Sequence, residues 1–126
     1  YLGGKRMTNL KDTVQSADWK NEKHVPVLEA TKNEDGSYVV TAEVGKEIAH
    51  PNTLEHHISW IKVYYLAEGA KLPVEIASTI FNAHGESEAF TTPKVVVNFK
   101  AEKGGQLLAQ SYCNIHGLWE SSLELE

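Results

Sequence analysis

Cys113 is the only cysteine in the chain, and His116 follows it in Ser111-Tyr112-Cys113-Asn114-Ile115-His116-Gly117-Leu118-Trp119. A thiolate and an imidazole this close in sequence can share one metal ion, or act as nucleophile and base. Asn114 and Gly117 favour a tight turn that would aim both side chains at one point. Taken alone, a Cys-x-x-His is more often a buried, inert thiol near an unrelated histidine. The other histidines change that balance.

There are six histidines: His24, His50, His56, His57, His84 and His116. None has a neighbouring Ser and Asp arranged as in a hydrolase, and nothing suggests an oxyanion hole for a Cys–His nucleophile. Metal binding accounts for more of the residues. His24 opens an apolar run, His50 and His56 straddle a proline-containing loop, and Cys113 and His116 flank a turn. Four imidazoles and a thiolate exceed the four ligands zinc prefers and suit a five-coordinate redox iron better.

Such a site needs elements to hold it. With 126 residues the chain should form one domain with a real core. Its 41% hydrophobic and 23% charged content is ordinary for a globular protein. A net charge of -5 argues against general nucleic-acid binding, and leaves any attraction for an anion to a local field. One cysteine allows neither an internal disulfide nor a four-Cys site, which fits a reduced, cytoplasmic setting. No apolar run is long enough for a membrane span, and there is no secretory core segment. The chain starts at Tyr1, so Met7 is a candidate initiator, with residues 1–6 then an expression remnant or processed leader.

Residues 1–20 read as a polar N-terminal arm, irregular or briefly helical, ahead of one domain over 21–126. Within that domain, Val25-Pro26-Val27-Leu28 enters a first strand, with Pro26 at its start or on an edge. Asp35-Gly36 marks a hairpin. Further strands are expected at 38–44, 56–66, 74–81, 94–100, 106–112 and 118–125, with Gly104-Gly105 closing a hairpin. His84-Gly85-Glu86 reads as a turn. No long helical period or internal repeat is present. About seven short strands separated by turns predict an all-β, immunoglobulin-like antiparallel sandwich.

Four stretches together resemble the superoxide reductases of the neelaredoxin and desulfoferrodoxin family. They are Glu22-Lys23-His24-Val25-Pro26, Gly45-Lys46-Glu47-Ile48-Ala49-His50-Pro51-Asn52 running to Glu55-His56-His57-Ile58, Ala83-His84-Gly85-Glu86, and Cys113-Asn114-Ile115-His116-Gly117-Leu118-Trp119. With a single Cys the chain cannot carry the four-Cys iron domain of the larger family members, so the single-iron type is expected. Ala49 stands where proline is frequent in the family, which should change loop stiffness and not ligation.

The resemblance implies one mononuclear iron per chain, with His24, His50, His56 and His116 as equatorial ligands and Cys113 as the axial one. It implies one-electron reduction of superoxide to hydrogen peroxide, consuming two protons and releasing no dioxygen. Backbone N–H groups of Ile115 and His116 are expected to bond the sulfur. Glu22 maps to the carboxylate that takes the open position in the oxidised resting state, and Lys23 to the cation that attracts superoxide and helps organise proton delivery. Neighbouring strand residues point to opposite faces, so only one of His56 and His57 should reach the iron; the family pattern picks His56, which leaves His57 to packing or hydrogen bonding. His84 is assigned a structural or surface role. A rubredoxin-like electron donor and a homo-oligomer, tetramer before dimer, are also implied.

Two rival readings remain at this stage. A blue-copper electron carrier would use two His, a Cys and usually an axial Met, but the only Met is Met7 and none follows His116. A histidine-rich immunoglobulin-like binding module would hold no stoichiometric iron.

Overall fold

A computed structural model describes residues 7–16 and 23–126. Residues 1–6 and 17–22 lie outside that description, and with them Glu22 and the expected end of the arm at residue 20. Seven strands occupy the described residues: β1 (Val27–Lys32), β2 (Ser37–Glu43), β3 (Ile58–Ala67), β4 (Val74–Ile80), β5 (Lys94–Lys100), β6 (Gly105–Cys113) and β7 (Gly117–Leu125). They build a three-stranded sheet, β1-β2-β5, and a four-stranded sheet, β4-β3-β6-β7. Every named pairing is antiparallel. The sandwich expected from the strand spacing is the observed fold.

Alternation decides which side chains turn inward. In β2, Tyr38, Val40 and Ala42 are buried between less buried neighbours. In β6 the buried series is Leu107, Ala109, Ser111 and Cys113. Val40, Ile61, Val63, Leu107 and Cys113 are each 0% exposed and share one core cluster. Cys113 is therefore the last inward position of β6, and the thiol reaches the end of the sandwich from inside the core.

The β1–β2 hairpin forms as Asp35-Gly36 predicts. Asp35 Oδ1 accepts from the Ser37 N–H at 2.9 Å, and Gly36 takes φ 87°. The Gly104-Gly105 pair does something else. The strands before and after it lie in different sheets, so it closes no hairpin. A Cβ on Gly105 would lie 2.3 Å from the Leu66 carbonyl oxygen and 3.0 Å from Ala67 Cα. The glycine is there for close backbone approach where the chain crosses between sheets. Gly105→Ala should lower stability by about 1–3 kcal/mol through overpacking. Urea unfolding reads this as a lower midpoint, and an unchanged midpoint would show that the β3 end yields freely.

Strand β3 begins at Ile58, two residues later than expected. Ile58 pairs with Cys113 but Trp60 pairs with Tyr112, so a bulge intervenes and resets the alternation. His56 and His57 therefore sit at the end of the β2–β3 connection, before regular pairing starts. The N-terminal arm contributes one 3-10 turn, Leu10–Asp12, and an isolated bridge from Gln15 to Trp119 of β7.

Candidate metal centre

Three connections meet at one end of the sandwich: the lead into β1, the β2–β3 loop and the β6–β7 hairpin. The lead brings His24, which is 8% exposed. Ser111 Oγ, from the inward row of β6, donates to the His24 carbonyl at 3.1 Å and ties the lead to the opposite sheet. The β2–β3 loop brings His50 and His56. It can turn back tightly because Gly45 adopts φ 81°, where a Cβ would meet the His50 nitrogen at 2.7 Å. The hairpin brings Cys113 and His116, with Gly117 in the left-handed conformation (φ 85°) closing its three-residue loop.

The five donor atoms lie within 4.8 Å of one another. His116 Nδ1 is 3.1 Å from His24 Nε2, 3.2 Å from His56 Nε2 and 3.7 Å from Cys113 Sγ. Cys113 Sγ is 3.4 Å from His50 Nε2. The rings form a closed cycle, His24–His50–His56–His116, with neighbouring centroids 4.6–4.9 Å apart and each pair steeply inclined. A neutral imidazole carries one ring proton. His116 Nδ1 faces two ring nitrogens and a sulfur, all atoms of the kind that bind transition metals. Four imidazoles and one thiol converging this closely form a donor set that fits a metal.

Two of the rings, His50 and His56, are also shifted toward the neutral form a metal requires. His50 Nδ1 lies 2.7 Å from the Pro51 carbonyl, which can only accept, so Nδ1 bears the proton and Nε2 turns its lone pair inward. Burial pushes the His50 pKa down to about 4, with the charges of His24, His56 and Lys23 adding to it against the raising effect of the Pro51 bond. His56 is shifted down as well, first by desolvation and then by His116 and Lys23. The His116 N–H donates to Cys113 Sγ at 3.4 Å, as expected, whereas no bond from Ile115 is found among the described residues.

Several supporting residues were not legible as such. Asn114 grips the chain on both sides of His56: its Oδ1 accepts from the His57 N–H at 2.9 Å and its Nδ2 donates to the Glu55 carbonyl at 3.0 Å. Its only sequence signal was that of a turn residue. Trp119 stacks on the His24 ring, with centroids 4.8 Å apart and planes 14° from parallel. The His116 carbonyl accepts from Trp119 Nε1 at 3.2 Å and from Gln15 Nε2 at 2.9 Å, so the N-terminal arm braces the hairpin. His57 faces away from the cluster and stacks on His84, at 3.6 Å between centroids. Met7 is 76% exposed.

A family model described as Desulfoferrodoxin matches residues 16–122. The chain belongs to the desulfoferrodoxin family. Within the family it is 51% identical over 118 residues to a superoxide reductase of Pyrococcus abyssi (strain GE5 / Orsay), covering 93% of this chain and 99% of the relative. It is 48% identical over 120 residues to a neelaredoxin of Megalodesulfovibrio gigas, covering 88% and 92%. The fold matches the crystal structure of an oxidised superoxide reductase with a TM-score of 0.88 at 45% identity, covering 94% of this chain and all of that one. No helix among the described residues is long and apolar enough to cross a membrane.

Proposed function

We propose that this chain is a superoxide reductase that converts superoxide to hydrogen peroxide at one iron held by His24, His50, His56, His116 and Cys113. The observation that carries the reading is the convergence of four imidazoles and one thiol within 4.8 Å, in a member of the desulfoferrodoxin family. Superoxide takes up one electron and two protons to give hydrogen peroxide. Bound iron, alternating between its ferrous and ferric states, would supply that electron.

The protein's own groups do the rest. The bond from His50 to the Pro51 carbonyl fixes which nitrogen faces the centre, and burial, lowering the pKa of both His50 and His56, favours their neutral, metal-binding form. Cys113 would supply a thiolate to the bound metal, and the N–H of His116, which donates to its sulfur, would moderate the electron density there. Lys23 lends positive charge to the approach of an anion, and the downward pull of its charge on both His50 and His56 supports that placement. Glu22, adjacent to Lys23 in sequence, is proposed as a further oxygen donor that would bind the ferric ion more readily than the ferrous one, since a hard carboxylate prefers the ferric ion. A rubredoxin-like carrier is proposed as electron donor, to a homo-oligomeric, cytoplasmic enzyme.

A blue-copper reading has two histidines too many, and the chain's only methionine, Met7, is exposed to solvent. A binding module gives no reason for four imidazoles and a thiol to converge within 4.8 Å. Elemental analysis of protein expressed and purified anaerobically should give about one iron per chain. Stoichiometric zinc or copper with no iron would overturn the assignment.

A further inference from the structure

We propose that His84 is a positioning residue for the metal centre, setting His50 and His56 from the β4–β5 connection without touching either. This rests on the five-residue cluster being the metal site.

His84 is 7% exposed, and both of its ring nitrogens are engaged. Nδ1 lies 2.7 Å from Asn52 Oδ1, and Nε2 lies 2.8 Å from the Phe81 carbonyl oxygen. The Asn52 amide has one orientation, because its Nδ2 donates to the Thr91 carbonyl at 2.9 Å. Thr91 is itself fastened across the connection, its N–H donating to the Ala83 carbonyl at 2.8 Å. Asn52 is thus clamped at both ends of its side chain, two residues after His50. On the other side, the His84 ring lies flat on His57, 9° from parallel. His57 is the residue after His56, and its Nδ1 is tied to the Thr53 carbonyl at 2.8 Å. One buried ring therefore braces the loop at two points, each beside a different member of the cluster.

The bond and the stack have separable consequences. A ring that cannot hydrogen-bond would keep the face against His57 and release Asn52, letting the His50 end of the loop shift. Outer partners of metal-binding histidines commonly change metal affinity by about 10–100-fold when removed. A role confined to holding the β4–β5 connection would lower stability and leave the metal's surroundings alone.

The test uses His84→Phe, which keeps a flat ring, and Asn52→Ala, which cuts the same link from the loop. Metal-free full chain would be titrated with Co(II) against a competing chelator. The thiolate-to-Co(II) absorption and the melting temperature with and without metal would be recorded. The expected result is a Co(II) affinity about 10–100-fold weaker in both variants, a shifted thiolate-to-Co(II) band, and a larger loss of melting temperature with metal than without. Unchanged affinity and band, with equal losses in both forms, would overturn the proposal. If His84→Phe does not fold, Asn52→Ala decides by the same readings. Failure of the wild-type chain to bind Co(II) would overturn the site reading itself, a result distinct from variants that bind like wild type.

Discussion

Cys113→Ser should abolish the visible thiolate-to-iron(III) absorption of the oxidised protein and cut superoxide reduction by at least about a hundredfold, since even outer partners of metal ligands cost 10–100-fold. The fold should survive the change. Cys113 ends the inward row of β6, and Ser111, one inward step earlier, shows that a fully buried hydroxyl in this row finds a carbonyl partner. What is lost is the sulfur, which lies 3.4 Å from His50 Nε2 and 3.7 Å from His116 Nδ1. An alcohol gives up its proton far less readily than a thiol and is a poor substitute ligand. Optical spectra and stopped-flow rates on the iron-loaded variant check this. A visible band that persists unchanged would remove Cys113 from the metal.

Lys23→Ala should slow superoxide capture by roughly tenfold, equivalent to about 1.4 kcal/mol in barrier. The chain carries a net charge of -5, so attraction for an anion has to come from a local field. Lys23 sits next to His24, and its charge is felt at both His50 and His56. Its influence decays over a Debye length of about 8–10 Å near physiological ionic strength, so the wild-type rate should fall as salt is raised. The Ala variant should show a flatter salt dependence with its iron content intact. Lys23→Arg should retain most of the rate, and Lys23→Glu should be slower than Ala. Pulse radiolysis across a salt series separates these outcomes. Equal rates for all variants at low salt would reduce Lys23 to an ordinary surface lysine.

The parts of this account that were legible in the sequence are those that depend on short stretches. Asp35-Gly36 makes its hairpin from its own conformational preferences and an Asp–Ser bond two residues long. The Cys113–His116 turn brings its two side chains to one side because the residues between them form a tight loop. Spacing alone only suggested grouping His24 with His50 and His56, and the family resemblance made them ligands, since the contacts that bring them together span both sheets.

What was misread depends on distant chain. Gly104-Gly105 carries the same local signal whether it turns a hairpin or permits close approach, and the Leu66 carbonyl that decides between them comes from another strand. The expected strand start at His56 missed the bulge between Ile58 and Trp60, which is set by pairing with β6. His57 still parts from His56, but because it stacks on His84 in the loop, not because a regular strand alternates there. His84 looked like a turn histidine because its partner Asn52 is 32 residues earlier in the chain. Asn114 likewise revealed its grip on the His56 segment only once β3 and β6 were paired.

The central claim is that this centre reduces superoxide without disproportionating it. The most direct measurement supplies a calibrated flux of superoxide to the iron-loaded protein with excess reductant, and follows hydrogen peroxide and dioxygen together. One hydrogen peroxide is expected for each superoxide consumed, with one electron drawn from the reductant each time and no dioxygen from the enzyme. One hydrogen peroxide for every two superoxides, with dioxygen released, would make the protein a dismutase and contradict that claim.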